Sequence, residues 1–194
     1  SVTGGATPIC QGFTTTCTAN GVVLGGGTGA WSSSNASVAT VNSSGVVTAI
    51  SGGTCNIIYT ITGGCNGTAS AYQTITVNTP AGNPAVFGNG VWNVYGYYGW
   101  SVVSGTITPG TYFGYYTEPN LSYNTLDRWC TTCSPSDASG WQGCYVPVDN
   151  HAVVSKRTNF TCGYYQLDMP NHDDDVEVYI DGSLVWEHHS CCDA

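Results

Sequence analysis

The stretch TGAWSSSNASVATVNSSGVVTAISGGTCNIIYTITGGCNGTASAYQTITV, residues 28–77, decides the fold of the first part of the chain. Apolar and polar residues alternate in it at period two, and Val, Ile, Thr and Tyr dominate, as in half-buried β-strands. Gly, Ser and Asn interrupt the runs about every ten residues, which is the spacing of turns in a β-sandwich. The predicted strands are GVVL at 21–24, just before the stretch, and SVATV at 37–41, GVVTAI at 45–50, CNIIYTI at 55–61 and AYQTITV at 71–77 within it.

The same residues resemble the bacterial immunoglobulin-like domain, group 2, whose core reads W-S-S-x-N-x-x-V-A-T-V-x-x-x-G-x-V-T-A-x-x-x-G-T. The resemblance covers roughly residues 8–78. It implies an immunoglobulin-like sandwich that serves as a surface-exposed spacer or adhesin module. In physical terms, Trp31 begins a strand and plugs the core, Val38 and Val41 face inward, and Gly45 makes a tight turn.

Composition predicts two all-β domains. The turn-rich linker 80–84 separates a first domain, 1–79, from an aromatic-dense second domain, 85–194. All three basic and all twelve acidic residues lie from Glu118 onward, so the first domain carries none of them. Gly alternating with Tyr and Trp predicts twisted strands whose rings cover glycine gaps. The rings are interpreted either as the core of a second, disulfide-stabilised β-sandwich or as a platform that stacks on sugars.

The tail CGYYQLDMPNHDDDVEVYIDGSLVWEHH resembles the closing hairpin of the protective-antigen-type β-sandwich module of bacterial toxins, glycosidases and yeast adhesins. That hairpin reads G-x-Y-x-F-x-x-x-x-D-D-x-x-x-x-x-I-D-G-x-x-V. The match covers residues 163–186, with Leu167 in place of the usual aromatic residue. It implies a related sandwich. Because lectin-type members hold Ca²⁺ and sugar with an adjacent Asp-Asp pair, it also implies Asp173 and Asp174 as ligands.

The acidic loop has two interpretations on its own residues. Asp173, Asp174 and Asp175 offer the hard oxygen ligands that Ca²⁺ prefers, and no other cofactor is expected. The alternative is a solvated hairpin turn, since Asn and Asp tolerate turn geometry. His188 and His189 are not expected to share one metal, because adjacent residues of a strand point to opposite faces.

Ten cysteines and a single methionine indicate an oxidising compartment. Disulfides are favoured over zinc, because the chain has one CxxC pair and no second pair at finger spacing. Four cysteines in the first half allow three connectivities and six in the second half allow fifteen. The leading pairings are Cys10 with Cys65, Cys17 with Cys55, Cys144 with Cys162, and Cys191 and Cys192 each with one half of Cys130-x-x-Cys133.

Charge and motifs exclude several classes of function. A formal net charge of −9 with three basic residues does not suit a phosphate backbone or an anionic membrane. No apolar run approaches the roughly 20 residues of a membrane span, so membrane insertion is not expected. The sequence has no G-x-S-x-G, H-E-x-x-H or Gly-rich phosphate-loop motif, so a non-enzymatic protein is predicted.

Other features favour a secreted or cell-surface protein. The chain begins at Ser1 rather than Met, as expected of a processed product. Five sequons mark candidate N-glycosylation sites. These are Asn35, Asn42, Asn66, Asn120 and Asn159.

The leading functional hypothesis is a fibre or pilus-like subunit that assembles with copies of itself. An uncharged first domain lacks the repulsion that keeps proteins apart. Residues 1–9, with Val2 and Ile9 as anchors, form the candidate donor strand for a neighbouring copy. The alternative is a calcium-dependent carbohydrate-binding or adhesin module whose partners are glycans. A third interpretation is a spacer fragment of a longer adhesin.

Overall fold

The computed structural model describes residues 1–65, 67–123, 134–169 and 175–189. Within them the chain forms fifteen strands and one turn of 3-10 helix, Pro135–Asp137, so the all-β prediction is confirmed. The chain divides into two compact units. The first contains residues 1–82 and 142–145, and the second contains the described parts of 83–141 and 146–189. The boundary after Gly82 falls inside the segment 80–84.

The first unit contains two four-stranded sheets. Its strands are β1 (Val2–Gly4), β2 (Ile9–Cys10), β3 (Thr14–Ala19), β4 (Thr28–Ser33), β5 (Ala39–Val41), β6 (Val46–Ala49), β7 (Gly53–Gly64) and β8 (Gly67–Asn78). The order is β1-β3-β6-β5 in one sheet and β2-β8-β7-β4 in the other. Neighbouring strands are antiparallel, except that β2 runs parallel to β8.

Buried side chains from both sheets form one core between two layers. Val47 of one sheet and Ile57 and Ile75 of the other have no exposed surface. Val38 is buried and Val41 packs against the same cluster, which confirms that both face inward. Gly45 lies in the turn between β5 and β6 with φ +82°, where its N–H donates to Asn42 O, so the predicted tight turn is confirmed.

Two sequence-based expectations for this unit were wrong in detail. Trp31 lies in the middle of β4, an edge strand, and is half-buried against the ring of Tyr59, with the ring centroids 5.0 Å apart. GVVL at 21–24 is a loop and not a strand. Val23 is 81% exposed there, because the segment has no neighbouring strand to pair with and β-propensity depends on such packing.

The second unit contains one sheet and one hairpin among the described residues. Its strands are β9 (Gly88–Asn89), β10 (Trp92–Val103), β11 (Thr106–Glu118), β13 (His151–Thr158), β14 (Asp175–Ile180) and β15 (Ser183–His189), while β12 (Gln142–Gly143) belongs to the first unit. β11, β10, β13 and β9 lie side by side in that order, and β14 and β15 form the hairpin.

Aromatic side chains cover both faces of this sheet. One face packs Val94 and Tyr116 into a buried cluster with Trp92 and Trp141. The Trp141 ring lies against Gly96, where an added Cβ would be 2.7 Å from Cη2. This is the aromatic cover over a glycine that the sequence pattern predicts. The other face carries tyrosines of β10 and β11 whose rings contact one another edge-on or tilted: Tyr95, Tyr97, Tyr112 and Tyr115.

Candidate functional site

The N-terminal segment, residues 1–10, contributes an edge strand to each sheet of the first unit. β1 pairs with β3, with Val2 opposite Ala19, and β2 pairs with β8, with Ile9 opposite Val77. Val2 and Ile9 are each only 6% exposed and belong to the shared core. The two residues named from the sequence as assembly anchors are therefore buried, and they contact their own chain.

Glycines and threonine hydroxyls carry the segment from one sheet to the other. Gly4 and Gly5 both have φ +82°, a conformation that L side chains disfavour. Ala6 N–H donates to Thr15 Oγ1 at 2.7 Å, and Thr76 N–H donates to Thr7 Oγ1 at 3.0 Å. The crossing is thus held by one hydrogen bond on the β3 side and one on the β8 side.

The amino terminus is also held in place. The Ser1 ammonium group donates to Asn20 O at 3.0 Å, and Asn20 N–H donates to Ser1 O at 2.7 Å. Asn20 Nδ2 donates to Thr3 Oγ1 at 2.6 Å. Residues 1–9 are the candidate donor strand for a neighbouring copy, and in this single chain their first strand docks in its own sheet.

A cleft lies beside β1, because β7 and β8 are twelve residues long and β1 has only three. A cavity of about 200 Å³ is lined by Val2 together with Tyr59 and Ile61 of β7 and Ala71 of β8. A second cavity of about 320 Å³ lies between Tyr59, Trp31 and β3. The space between the sheets is incompletely filled at this end.

The disulfide pattern differs from the sequence-based pairing. Cys10 is bonded to Cys144, within the first unit, and their Cα atoms are 5.5 Å apart. The pairing Cys10–Cys65 was wrong because Cys10 lies opposite Asn78, at one end of β8, while Cys65 lies in the turn at the other end. Eleven residues of extended strand separate positions 67 and 78, roughly 36 Å. Cys65 is an exposed thiol whose Sγ donates to Gly25 O at 3.1 Å.

The other two testable pairings were also wrong. Cys17 and Cys55 are both free and buried. Cys17 Sγ is directed toward the β1 segment, where it lies 3.9 Å from Gly4 O. Burial raises the pKa of the Cys17 thiol. Cys162 is free and exposed, because Cys144 is already bonded to Cys10. The remaining predicted disulfide cysteines lie outside the described residues: Cys130, Cys133, Cys191 and Cys192.

The calcium prediction is only partly within the described residues. Asp173 and Asp174 lie outside them. Asp175 is the first residue of β14, and its Oδ1 is 3.3 Å from Nδ1 of His189 on β15. The calcium site stays a prediction, and its third candidate ligand has a histidine neighbour that the sequence analysis did not foresee.

Sequon asparagines within the described residues are exposed. Asn35 Oδ1 accepts from Ser37 Oγ at 2.6 Å, and Asn42 Oδ1 accepts from the N–H of Ser44 at 2.9 Å, so both organise turns. Asn120 and Asn159 are exposed as well, and Asn66 lies outside the described residues. Glycosylation at these sites stays a prediction.

No family model, curated protein or solved structure matches the chain. Over the described residues, no helix has the length and apolar character needed to cross a membrane. The function proposed below therefore rests on the residues and geometry given above.

Proposed function

We propose that this chain is an extracellular, non-enzymatic structural subunit that assembles with copies of itself through its N-terminal strand. One observation supports it above all: residues 1–10 add an edge strand to each of two sheets, with Val2 and Ile9 as buried anchors. A donated strand makes the same kinds of contact when it completes a sheet. Exchange of β1 between copies replaces contacts within a chain by identical contacts between chains, so its free-energy cost is low.

The disulfide limits which strand of the N-terminal segment can exchange between copies. Cys10 is bonded to Cys144 in the first unit, so β2 stays with its own chain once that bond has formed. Residues 5–8 connect β1 to β2 and span at most about 14 Å when extended. β1 is therefore the proposed donor, and Ile9 anchors the segment in place. Donor and acceptor surfaces differ, so repeated exchange gives an open fibre rather than a closed ring.

The edges of the first unit favour pairing with another chain. Natural edge strands are usually protected by charged side chains, above all by Lys. Residues 1–82 and 142–145 contain no Asp, Glu, Lys or Arg. The cavity of about 200 Å³ beside Val2 also leaves space for a further side chain of a donated strand that is longer than the three residues of β1.

Two further features support a surface role. The motif of residues 28–77 resembles the bacterial immunoglobulin-like domain, group 2, which implies a spacer or adhesin module. The Cys10–Cys144 bond is of a kind that persists in oxidising, extracellular compartments.

Val2→Asp tests the proposal, with Thr3→Asp as the matched control. Val2 is buried and Thr3 is exposed on the same strand, so both variants add one carboxylate to β1 but only the first places it in the core. We expect wild type and Thr3→Asp to form polymers on size exclusion and electron microscopy, and Val2→Asp to remain monomeric. Polymers of unchanged length from Val2→Asp would overturn the proposal.

A cross-link identifies the strand directly. Thr3 and Thr18 are register partners of β1 and β3, so cysteines at both positions lie close enough for a disulfide. In an assembly built by exchange, Thr3→Cys/Thr18→Cys gives a ladder of covalent oligomers on a non-reducing denaturing gel, whereas each single variant does not. Polymers whose cross-links are all within one chain would refute donation by β1.

The alternative, a carbohydrate-binding module, is favoured by the tyrosine face of the second unit. Tyr97, Tyr112 and Tyr115 are half-buried on one side of the sheet, and the centroids of Tyr97 and Tyr112 are 5.4 Å apart. Aromatic rings of this kind stack on the apolar faces of sugars. A glycan array with and without a calcium chelator tests it: chelator-sensitive binding that Tyr97→Ala weakens would support it, and no bound glycan would exclude it.

A further inference from the structure

One face of the β14–β15 hairpin carries four side chains that can bind or orient a metal ion. Asp175 lies opposite His189, and Glu177 lies opposite Glu187. Directly opposed residues of an antiparallel pair share a face, and residues two apart on a strand share it too. His188 points to the other face, where its ring stacks on that of Trp186 at 6.3 Å.

The spacing of the ligand atoms suits a small divalent ion. One ligand atom from each of Glu177, Glu187 and His189 lies within 4.8 Å of the other two. Nε2 of His189 is 3.3 Å from Oε2 of Glu187. Zinc bonds of about 2.0–2.1 Å in tetrahedral geometry place neighbouring ligand atoms about 3.3–3.4 Å apart. The imidazole–carboxylate pair is already at that separation.

The second nitrogen of the imidazole has the partner that metal-binding histidines usually have. Nδ1 of His189 is 3.3 Å from Oδ1 of Asp175, whose side chain is only 15% exposed. A carboxylate in that position holds the Nδ1–H tautomer and leaves the Nε2 lone pair free to bind a metal. Asp175 thus orients the ring so that Nε2 faces Glu187.

Contacts from outside the three ligands fix Glu177. Ile107 N–H, on β11, donates to Oε1 at 2.7 Å, and the Tyr179 hydroxyl donates to Oε2 at 2.8 Å. Each carboxylate oxygen keeps a second lone pair for a metal. Hydrogen bonds that hold a ligating carboxylate are a regular part of metal sites, because they fix the geometry before the ion arrives.

The cluster also has an excess of negative charge. Glu177 and Glu187 are directly opposite, an arrangement that destabilises a sheet when both are ionised. Among the described residues, His189 is the one basic side chain within ion-pair distance of Asp175 or Glu187. A divalent cation removes the repulsion that one imidazole cannot fully offset.

We propose that Glu177, Glu187 and Nε2 of His189 bind a zinc ion, with Asp175 as the positioning residue. Mixed imidazole and carboxylate ligands suit Zn²⁺, whereas Ca²⁺ takes oxygen ligands alone. Three protein ligands leave a fourth position for water or for a ligand from a partner molecule. The site differs from the calcium loop expected at Asp173 and Asp174, and it does not depend on self-assembly.

Zinc titration of the intact protein by calorimetry, after chelator treatment, tests the site. His189→Gln removes the imidazole ligand, and His188→Gln is the matched control because its ring lies on the opposite face. We expect His189→Gln to lose one equivalent of bound zinc and Glu187→Gln to bind at least tenfold more weakly, while His188→Gln binds like wild type. Equal binding by His189→Gln and His188→Gln, or no zinc bound at 100-fold excess over the protein, would overturn the proposal.

Two spectroscopic measurements distinguish metal bound at the hairpin from metal bound by cysteine, and test the role of Asp175. Co²⁺ bound by the exposed thiols Cys65 or Cys162 gives a thiolate charge-transfer band, whereas the hairpin site does not. A thiolate band in wild type together with an unchanged amount of bound Co²⁺ in His189→Gln would assign the metal to cysteine and refute the proposal. Nitrogen-15 NMR of the imidazole reads its tautomer. Asp175→Asn is expected to shift His189 away from the Nδ1–H tautomer and to weaken zinc binding about tenfold. An unchanged tautomer would exclude the positioning role of Asp175.

Discussion

Removing the disulfide between Cys10 and Cys144 should destabilise the first unit strongly. The bond closes a loop over a sequence separation of 134 residues. The chain-entropy relation gives about 17 cal/mol/K for a loop of that length, or about 5 kcal/mol at 25 °C. Removed native disulfides usually cost about 2–5 kcal/mol, so Cys10→Ala/Cys144→Ala is expected to lose about 3–5 kcal/mol. Alanine is chosen instead of serine, because serine would place a hydroxyl group at the site where Cys144 is buried.

Urea unfolding followed by tryptophan fluorescence measures this loss, since Trp31 reports on the first unit. The free energy of unfolding falls by about 2 kcal/mol for each 1 M of urea, so the expected loss lowers the urea concentration at the unfolding midpoint by about 2 M. Cys65→Ser, which changes an exposed free thiol, should leave the midpoint unchanged. Equal midpoints for wild type and the double variant would refute the reasoning. Non-reducing peptide mapping that found Cys10 bonded to Cys65 would refute the pairing itself.

Two other predictions concern single positions. Gly45→Ala should cost at least about 2 kcal/mol in urea unfolding, because Gly45 has φ +82° and a Cβ would lie 2.3 Å from Cys17 O. Gly12→Ala has a similar φ of +86° but open space, so it should cost about 1 kcal/mol, and equal losses would contradict the steric argument. In metal-free protein, desolvation lowers the pKa of His189, but Glu187 and Asp175 outweigh it and raise the pKa above 6.5. The hairpin should therefore be most protected from amide exchange below that unfolded value and lose protection as pH rises through the folded pKa; His189→Gln should abolish this dependence, and protection that instead falls with falling pH would contradict it.

The strands that the sequence predicts best are those with long, regular alternation. CNIIYTI and AYQTITV fall within β7 and β8, where Ile57 and Ile75 point to the core at period two. GVVL has the same β-rich composition but only three residues between Gly21 and Gly25, and it forms a loop. Composition alone could not separate the two cases, because a strand also requires a neighbour to pair with.

The disulfide could not be predicted because it joins positions that only the three-dimensional fold brings together. Cys10 and Cys144 are far apart in sequence, and residues 142–145 belong to the first unit although the flanking residues belong to the second. Pairing within each half followed from assuming that each domain is one continuous segment. No local pattern marks residues 142–145 as an exception.

The hairpin cluster, in contrast, does have a signal in the sequence. Asp175 and Glu177 are two apart on one side of the Asp181-Gly182 turn, and Glu187 and His189 are two apart on the other. Asp-Gly between two β-rich runs predicts a tight hairpin, which brings such pairs onto one face. The sequence-based prediction considered the three consecutive aspartates and the His188-His189 pair, and it did not include this hairpin cluster. The contact from Ile107 could not be found this way, because it comes from a distant strand.

The separation of charge along the chain gives the two proposals different physical bases. Self-assembly rests on the first unit, where an uncharged surface and a three-residue edge strand favour pairing through the backbone. Zinc binding rests on the second, where Glu177 and Glu187 lie opposite each other on one hairpin face beside the imidazole of His189. Val2 and His189 belong to different units, and the two proposals share no residue. Loss of assembly in Val2→Asp therefore carries no information about zinc, and each proposal stands or fails on its own experiment.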